Sequence, residues 1–420
     1  MRTLSVYVED HEAGLLREDP QTGLMDFVYR PGVASRDAVS LTMPVEASPE
    51  EYLGFNGLPP PFEVSLPEGA VLESLRRRFH KIADVDDDFA LLRIVGRHLV
   101  GRLAFGGTSE DDPALDARIL DSARSPDAAV LLRALLAQSP ERAGASGVMP
   151  KMSTGSRAGR RPGTWVGAGE IVKFDTPEFP GAALVEFACM EAHRAGGFPV
   201  PATRLSPDAT ALIVERFDFA TGGRRLGFED ACALSGLRRT GKYRGTNEDL
   251  FRMIGHFLSP ADQDAARSDL MRRLLLGDLL RNGDAHLKNF GLLYDDPARP
   301  RLAPVYDVLT TPVWIPGDLP ALRLTGQQPG PRWLTKADLP VLARLSGVSV
   351  EEVASTHRAL REVATSVLRQ VQHDRAADAS PRAREALDQA CLLVESAAPL
   401  APRCADGRPS LGESDEAPGP

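Results

Sequence analysis

The chain has 420 residues, of which 43% are hydrophobic and 25% are charged, and its formal net charge is −9 at pH 7. These proportions are ordinary for soluble globular proteins, so they exclude a fibre and a wholly disordered chain. This length predicts two or three folding units, and the acidic balance excludes steering of the whole chain onto DNA, which would need a local basic patch or a basic partner.

The four cysteines lie far apart and form no C-x-x-C pair, which argues against a zinc ribbon or a disulfide framework. The N-terminus picks up Glu9 and Asp10 at once and has no long apolar stretch of the kind found in signal peptides. No segment reaches the roughly 18 consecutive apolar residues that a membrane-spanning helix needs. We therefore expect a soluble, cytoplasmic protein without membrane contact.

Residues 1–106 read as a small α+β domain. Alternating apolar residues predict strands at 4–8 and 25–29, with a turn through 10–14 between them. Helical spacing follows at 70–80 and 88–96, and a closing strand is predicted at 99–105.

Residues 107–143 are interpreted as a connector that combines an acidic loop, 110–116, with an apolar helical run, 128–136. The next unit, 144–227, is rich in glycine and strands, with strands predicted at 169–174 and 211–215.

A helix predicted at 184–195 lies between these two strands and ends at Gly196-Gly197. From 228 to 397 the pattern is mainly helical, with helices predicted at 250–258 and 261–280. The basic, glycine-rich stretch 155–163 predicts a mobile loop, and the tail 398–420, rich in prolines and acids, is predicted to be disordered.

A polar loop, Asn282-Gly-Asp-Ala-His-Leu-Lys-Asn289, follows the last of these helices and precedes an apolar strand at 290–294. Asp284 and Asn289 have the D-x-x-x-x-N spacing with which protein kinases place a catalytic base and an amide oxygen on magnesium. A second carboxylate, Asp307, follows in Ala303-Pro-Val-Tyr-Asp-Val, and magnesium prefers such oxygen ligands. One Asp and one Asn on a loop are otherwise more often a turn or a helix cap.

Lys173 ends the strand Glu170-Ile-Val-Lys, where a kinase fold places the lysine that pairs with nucleotide phosphates. Outside a kinase, a lysine at the end of a strand is usually a solvated charge. Glu186 on the next helix could orient Lys173, although a glutamate on a helix surface has an equally good explanation as a solvated residue.

Taken together, these motifs resemble the HipA family of kinase toxins from bacterial toxin–antitoxin modules. The catalytic loop and Pro304-Val-Tyr-Asp-Val308 match the family's catalytic and metal-binding motifs. Ser146-Gly-Val-Met-Pro-Lys151 is similar to its phosphate loop, S-G-V-Q-P-K, and Val214-Glu-Arg-Phe-Asp218 is similar to its hinge. The resemblance covers roughly residues 1–370, with the motifs in the same order.

The resemblance implies an α+β, protein-kinase-like bilobal fold. A sheet-rich lobe with a small extra N-terminal α+β subdomain would precede a mainly helical catalytic lobe. It further implies a serine/threonine protein kinase that transfers the γ-phosphate of ATP, with Mg²⁺, to an aminoacyl-tRNA synthetase and to itself. The partner would be a HipB-like DNA-binding antitoxin, with DNA contacted only through that antitoxin.

Residue by residue, the resemblance makes Asp284 the catalytic base and Asn289 and Asp307 the magnesium ligands. Ser146 is the candidate autophosphorylation site. The implied ATP-binding residues are Ser146, Gly147, Val148, Lys151, Lys173, Glu215, Phe217, His286, Lys288 and Tyr306. His286 is expected to shape the loop rather than bind metal, because no second His or Cys stands near it in sequence.

Two positions depart from the family pattern. Met149 stands where the phosphate loop has glutamine, which removes a polar side chain near the phosphates, and Gly144 stands where part of the family carries an autophosphorylated serine. Two other functions stay open. The chain could be a small-molecule phosphotransferase, against which the extra N-terminal domain argues. It could also be a catalytically silent co-repressor that binds an antitoxin, against which the intact motif residues argue.

Overall fold

The computed structural model describes residues 1–63, 66–68, 72, 75, 87–97, 99–107, 113–139, 151–153, 169–325, 330–375 and 377–400. Of residues 49, 50, 113 and 151–153 it describes the backbone alone. The predicted mobile loop, the predicted disordered tail beyond residue 400 and most of the helix predicted at 70–80 lie outside the described residues.

The strands are β1 Arg2–Val8, β2 His11–Glu18, β3 Leu24–Tyr29, β4 Phe55–Asn56, β5 Leu103–Phe105, β6 Lys151–Ser153, β7 Glu170–Phe174, β8 Thr203–Leu205, β9 Ala211–Glu215, β10 Gly227–Asp230, β11 Gly291–Tyr294 and β12 Arg301–Leu302. The α-helices are α1 Pro60–Glu63, α2 Asp88–Val95, α3 Pro113–Ala123, α4 Ala128–Gln138, α5 Ala182–Ala195, α6 Ala231–Leu234, α7 Asn247–Phe257, α8 Pro260–Leu279, α9 Leu339–Ser346, α10 Val350–Arg375 and α11 Pro381–Glu395. Short 3-10 helices lie at Ser35–Asp37, Pro49–Tyr52, Arg239–Gly241, Leu287–Asn289, Thr311–Val313 and Lys336–Asp338.

The N-terminal subdomain is built on an antiparallel sheet with strand order β4-β3-β2-β1-β5. The turn predicted at 10–14 is shorter than expected, because β2 already begins at His11 and the reversal is made at Glu9 and Asp10. Gly14 pairs with β3 instead of turning the chain. A Cβ atom there would lie 2.6 Å from the ring of Phe27, so only glycine lets the two strands approach this closely.

The predicted connector is part of the hydrophobic core. Its helix α3 begins at Pro113, so the second half of the predicted acidic loop is helical. Ile119 of α3 and Leu132 of α4 are buried in one cluster with Val172 of β7 and Ile213 of β9. The N-terminal sheet contributes to the same cluster. The subdomain, the connector and the next sheet therefore share one core rather than being separate units on a tether.

The second sheet is antiparallel, with strand order β6-β7-β9-β8, and helix α5 packs against it. Its β7 strand pairs Lys173 with Leu212 of β9. Helix α5 also packs on α10 and α11 of the helical part, whose largest core cluster includes α8 and α9. The sheet-rich part and the helical part of the predicted architecture are thus joined through α5.

A third antiparallel sheet, β10-β11-β12, lies beside the helices. The polar loop 282–289 runs between α8 and β11 and is held by both. No helix in the described part of the chain combines the length and apolarity that crossing a membrane requires. Of the four cysteines, the three in the described ranges are buried free thiols: Cys189, Cys232 and Cys391.

Candidate active site

The end of helix α8 sets the direction of the polar loop. Asn282 N–H donates to the carbonyl of Gly277 at 2.9 Å, which closes the helix, and Arg281 takes a left-handed conformation with φ 54°. The chain then reverses, and His286 N–H donates to the carbonyl of Asp284 at 2.7 Å. This tight turn projects Asp284 away from the helix, so the loop presents its carboxylate to a cavity.

Gly283 is glycine because there is no room for a side chain at this position. Its amide donates to Thr311 Oγ1 at 3.0 Å, and the Thr311 hydroxyl in turn donates to Asp318. A Cβ atom on Gly283 would overlap both of these side-chain oxygens. The loop before Asp284 therefore packs directly on the segment that follows Asp307.

We expect Gly283→Ala to lower the free energy of unfolding by about 1–3 kcal/mol, the usual cost of overpacking a close contact. Gly277→Ala is the matched control, since nothing lies within 4 Å of a Cβ atom built there. Because Gly277 is helical, its replacement should be neutral or stabilise by about 0.5–1 kcal/mol. Urea unfolding of the two variants measures the difference, and equal stabilities would contradict the packing argument.

Asp284 is partly buried and accepts a hydrogen bond from Tyr243 Oη at 2.8 Å. Burial raises the pKa of Asp284 to about 6, although the hydrogen bond from Tyr243 acts in the opposite direction. A carboxylate with this pKa is ionised at neutral pH and is still basic enough to accept a proton. Asp284 thus has the chemistry that a general base requires.

Lys173 lies at the end of β7 and is buried, with 5% of its surface exposed. Its ammonium group forms ion pairs with Glu186 of α5 and with Asp307, the latter at 2.5 Å. Burial lowers the pKa of Lys173, but the two carboxylates outweigh burial and raise the pKa overall. The lysine therefore stays charged at neutral pH and is held in place by two carboxylates.

Asp307 adopts a left-handed conformation, with φ 59°. The only other described residues with positive φ, apart from glycine, are Glu9, Ala209 and Arg281. Two of the four therefore adjoin the polar loop: Arg281 directly precedes it, and Asp307 is hydrogen-bonded to its last residue, Asn289. Backbone strain of this kind gathers at functional sites, where surrounding contacts impose it.

Asn289 donates through Nδ2 to the carbonyl of Asp307 at 3.0 Å, which ties the two candidate magnesium ligands together. The buried Oδ1 atom of Asn289 has no hydrogen-bond partner among the described residues. A buried amide oxygen without a partner, on a side chain bonded to the backbone of Asp307, is the kind of oxygen ligand that Mg²⁺ takes, and nucleotide oxygens and water would complete the set. The residues present therefore fit the ion.

A cavity of about 380 Å³ is lined by the three carboxylates described above. Asp284, Asp307 and Glu186 line it together with Tyr243, and its far wall is apolar. A smaller cavity of about 70 Å³ lies on the other side of the loop, against Asn289. Asn282 lines both cavities, so the polar loop forms the wall between them.

The predicted hinge follows β9. Glu215 is exposed there, whereas Phe217 packs against Phe228 and Tyr306, with ring centroids 5.4 Å from each. These three rings form an apolar surface of the kind on which a flat aromatic group can stack. Tyr306 also donates its hydroxyl hydrogen to the carbonyl of Lys288 at 2.8 Å, which joins this surface to the polar loop.

The hinge is fixed by the N-terminal subdomain. Buried Arg216 pairs with buried Asp218 at 2.5 Å and also donates to the carbonyl of Leu99. Gly101 N–H donates to Asp218 at 2.8 Å. Two buried charged side chains of the predicted hinge are therefore hydrogen-bonded to the backbone of the N-terminal subdomain.

Two further residues assigned to ATP by resemblance, Lys288 and His286, are buried. Lys288 is buried and its ammonium group lies 3.0 Å from Glu68. His286 is buried, and burial lowers its pKa to about 4, so it is neutral and suits the expected loop-shaping role. For both residues the assignment to ATP stays a prediction.

The candidate phosphate loop is only partly described. Ser146, Gly147 and Val148 lie outside the described residues, and so do Gly144 and Met149. The backbone of Lys151 pairs with Lys173 across β6 and β7. The roles predicted for these residues therefore rest on the sequence alone.

The structure adds two residues that the sequence analysis does not single out. Tyr243 contacts Asp284, and Glu68 pairs with both Lys242 and Lys288. Each contact joins residues at least 41 positions apart. No local spacing or periodicity in the sequence predicts such pairs.

Two family models match this chain. The family model of the HipA N-terminal domain matches residues 4–106, and that of the HipA-like C-terminal domain matches residues 143–375. The chain is 30% identical over 342 residues to "Putative kinase Y4dM" of Sinorhizobium fredii, an alignment that covers 76% of this chain and 79% of that protein. It is 29% identical over 181 residues to a "Putative kinase" of Haemophilus influenzae, covering 40% and 53% of the two chains.

Among solved structures, a chain of the Shewanella oneidensis MR-1 complex of HipA, HipB and operator DNA superposes with a TM-score of 0.65. The match covers 93% of this chain and 96% of that one, at 19% sequence identity. At that identity the likeness concerns the fold. It confirms the predicted α+β, kinase-like bilobal architecture with an N-terminal subdomain.

Proposed function

The chain belongs to the HipA family, since the family's two domain models together match most of its length, and on this premise we propose that it is an ATP- and magnesium-dependent serine/threonine protein kinase. One observation carries the proposal. Lys173 is ion-paired to Glu186 and Asp307, and both carboxylates line a single cavity with Asp284. A phosphate-binding cation, a metal ligand and a base are the groups that phosphoryl transfer needs together.

Each group has a separate task. Lys173 binds nucleotide phosphate, and Glu186 keeps the ammonium group in place. Asp284 accepts the proton of the acceptor hydroxyl as the oxygen attacks the γ-phosphorus and the bond to the leaving diphosphate breaks. Bound magnesium, held by Asp307 and Asn289, supplies positive charge that offsets the charge of the phosphates. The aromatic surface at Phe217 receives the adenine.

The test is incubation of the purified chain with γ-labelled ATP, Mg²⁺ and a cell extract. Label on protein hydroxyls supports the proposal, and phosphoamino acid analysis then separates serine and threonine from tyrosine. Label on a metabolite would instead identify a small-molecule phosphotransferase. Absence of transfer, with nucleotide binding retained or lost, would leave a binding protein and overturn the proposal.

The same premise supports a place in a toxin–antitoxin module. One solved structure of the same fold is a complex of HipA with HipB and operator DNA, and the net charge of −9 on this chain suits contact with DNA through a basic partner. We therefore propose a HipB-like antitoxin as partner and an aminoacyl-tRNA synthetase as cytoplasmic substrate. Autophosphorylation, with Ser146 as its site, belongs to the same proposal.

Asp307→Ala is expected to weaken magnesium-dependent ATP binding more than Asn289→Ala does. A carboxylate brings net charge to the ion, whereas an amide brings only a dipole. Titration of Mg²⁺ against a fluorescent ATP analogue measures the order of the two effects. Equal shifts in the two variants, or a larger shift for Asn289→Ala, would contradict the assignment of Asp307 as the main metal ligand.

A further inference from the structure

A short basic segment, residues 238–243, links the N-terminal subdomain to the polar loop. It follows α6 and contains the 3-10 turn Arg239–Gly241. Its three cations are Arg238, Arg239 and Lys242, and its last residue is Tyr243.

Carboxylates of the N-terminal subdomain hold all three cations. Arg238 lies 3.1 Å from Glu63 and 2.9 Å from Asp88. Arg239 lies 2.7 Å from Asp88, and the side chain of Glu63 between the two arginines is only 2% exposed. Such a network of shared, partly buried pairs holds geometry better than isolated surface pairs do.

The carboxylate that holds the third cation, Lys242, also contacts the polar loop. Glu68 lies 3.0 Å from Lys242 and 3.0 Å from Lys288. In addition, Leu287 N–H donates to the carbonyl of Lys242 at 3.2 Å. The basic segment is therefore bonded on one side to the subdomain and on the other side to the loop that carries Asp284.

Tyr243, the last residue of the basic segment, is hydrogen-bonded to the carboxylate of Asp284. Its hydroxyl donates to Asp284 Oδ1 at 2.8 Å, and its ring meets the edge of the His286 ring at a centroid distance of 5.2 Å. Tyr243 is 50% exposed, so packing alone does not account for its place. Oδ1 of Asp284 is thus held by Tyr243, while Oδ2 lies 3.8 Å from His286 Nε2.

We propose that Tyr243 is a positioning residue for Asp284 and that the N-terminal subdomain sets its position by holding the basic segment. The inference rests on the proposed function, because it assigns the regulation of the same site. A partner that binds or shifts the subdomain would then alter catalysis without contacting the nucleotide. The subdomain thereby acts on catalysis indirectly, through the basic segment and Tyr243.

The first arm of the test is Tyr243→Phe, which keeps the ring and removes the hydroxyl. Loss of a hydrogen bond to a charged group should lower kcat about tenfold to a hundredfold. KM for ATP should change less than about threefold, since Tyr243 acts through Asp284 alone. An equal loss in both parameters, or an unchanged kcat, would overturn the role of Tyr243.

The second arm is Asp88→Asn, matched with Asp87→Asn. Asp88 contacts the basic segment through both arginines, whereas neighbouring Asp87 pairs with Arg2 inside the subdomain. Asp88→Asn should lower kcat roughly threefold to tenfold, and Asp87→Asn should not change it. In the Tyr243→Phe background, Asp88→Asn should add little, because both changes act on one contact.

Hydrogen exchange of the peptide 282–289, followed by mass spectrometry, measures the coupling between the N-terminal subdomain and the polar loop and does not require turnover. The expected result is faster exchange in Tyr243→Phe and Asp88→Asn and unchanged exchange in Asp87→Asn. If this pattern appears in a protein that transfers no phosphate, the proposed function fails while the positioning stands. If an active kinase shows neither the exchange pattern nor the loss of kcat, the positioning inference is overturned and the kinase assignment stands.

Discussion

Replacing Asp284 with asparagine is expected to lower the rate of phosphoryl transfer by about 10²–10⁴-fold, the usual contribution of a general base. The amide keeps the shape of the carboxylate and can still accept the hydrogen bond from Tyr243, so the fold should be unchanged. What is lost is the ability to accept a proton. The pKa of Asp284, raised by burial to about 6, suits a group that would accept a proton near neutral pH.

Initial rates of label transfer from γ-labelled ATP measure the effect, and thermal unfolding checks that the variant is folded. Asp295→Asn is the control. Asp295 is half exposed and pairs with Arg224 at the surface, so its replacement should leave the rate unaltered. Wild-type turnover in Asp284→Asn would remove Asp284 from the reaction.

Lys173→Met is expected to have the largest combined effect on stability and activity. The variant leaves buried Glu186, which is 2% exposed, without its cation. Breaking a buried ion pair by removing one partner typically costs about 3–5 kcal/mol. Phosphate binding would be lost at the same time, so activity should fall to background even where the protein remains folded.

The double variant Lys173→Met/Glu186→Gln separates these two effects. Without the uncompensated carboxylate, part of the lost stability should return, whereas activity should not, because the phosphate-binding cation is still missing. Asp307 is 26% exposed and can remain solvated in both variants. Urea unfolding and ATP turnover measure the two properties. Exposed Lys336→Met is the control and should change stability by less than about 0.5 kcal/mol.

The two predictions depend on different parts of the site. In the proposed mechanism Asp284 acts on the substrate hydroxyl, so its loss should not affect binding of ATP. Lys173 is proposed to act on the nucleotide, so its loss should affect both binding and folding. A variant series that showed the same defect for both residues would indicate collapse of the whole cavity rather than two separate roles.

The sequence by itself predicted several of the elements and the place of the polar loop in the chain. Apolar spacing located β1, β7, α5 and α8 to within a few residues, because hydrophobic periodicity is a local property of the chain. The spacing of Asp284 and Asn289 pointed to the loop between a helix and a strand, where the structure has it. The apolar run at 128–136 predicted a helix, and the structure has α4 there, but spacing along the chain could not show that α3 and α4 are buried against strands of two distant sheets.

Only the tertiary structure decided which charges meet. The ion pair of Lys173 with Asp307 joins residues 134 positions apart, and that of Lys288 with Glu68 joins residues 220 apart. A charged side chain has no periodic signature that names its partner, since its position depends on how whole elements pack. Tyr243 belongs to no motif in the sequence, and its hydrogen bond to Asp284 joins residues 41 positions apart.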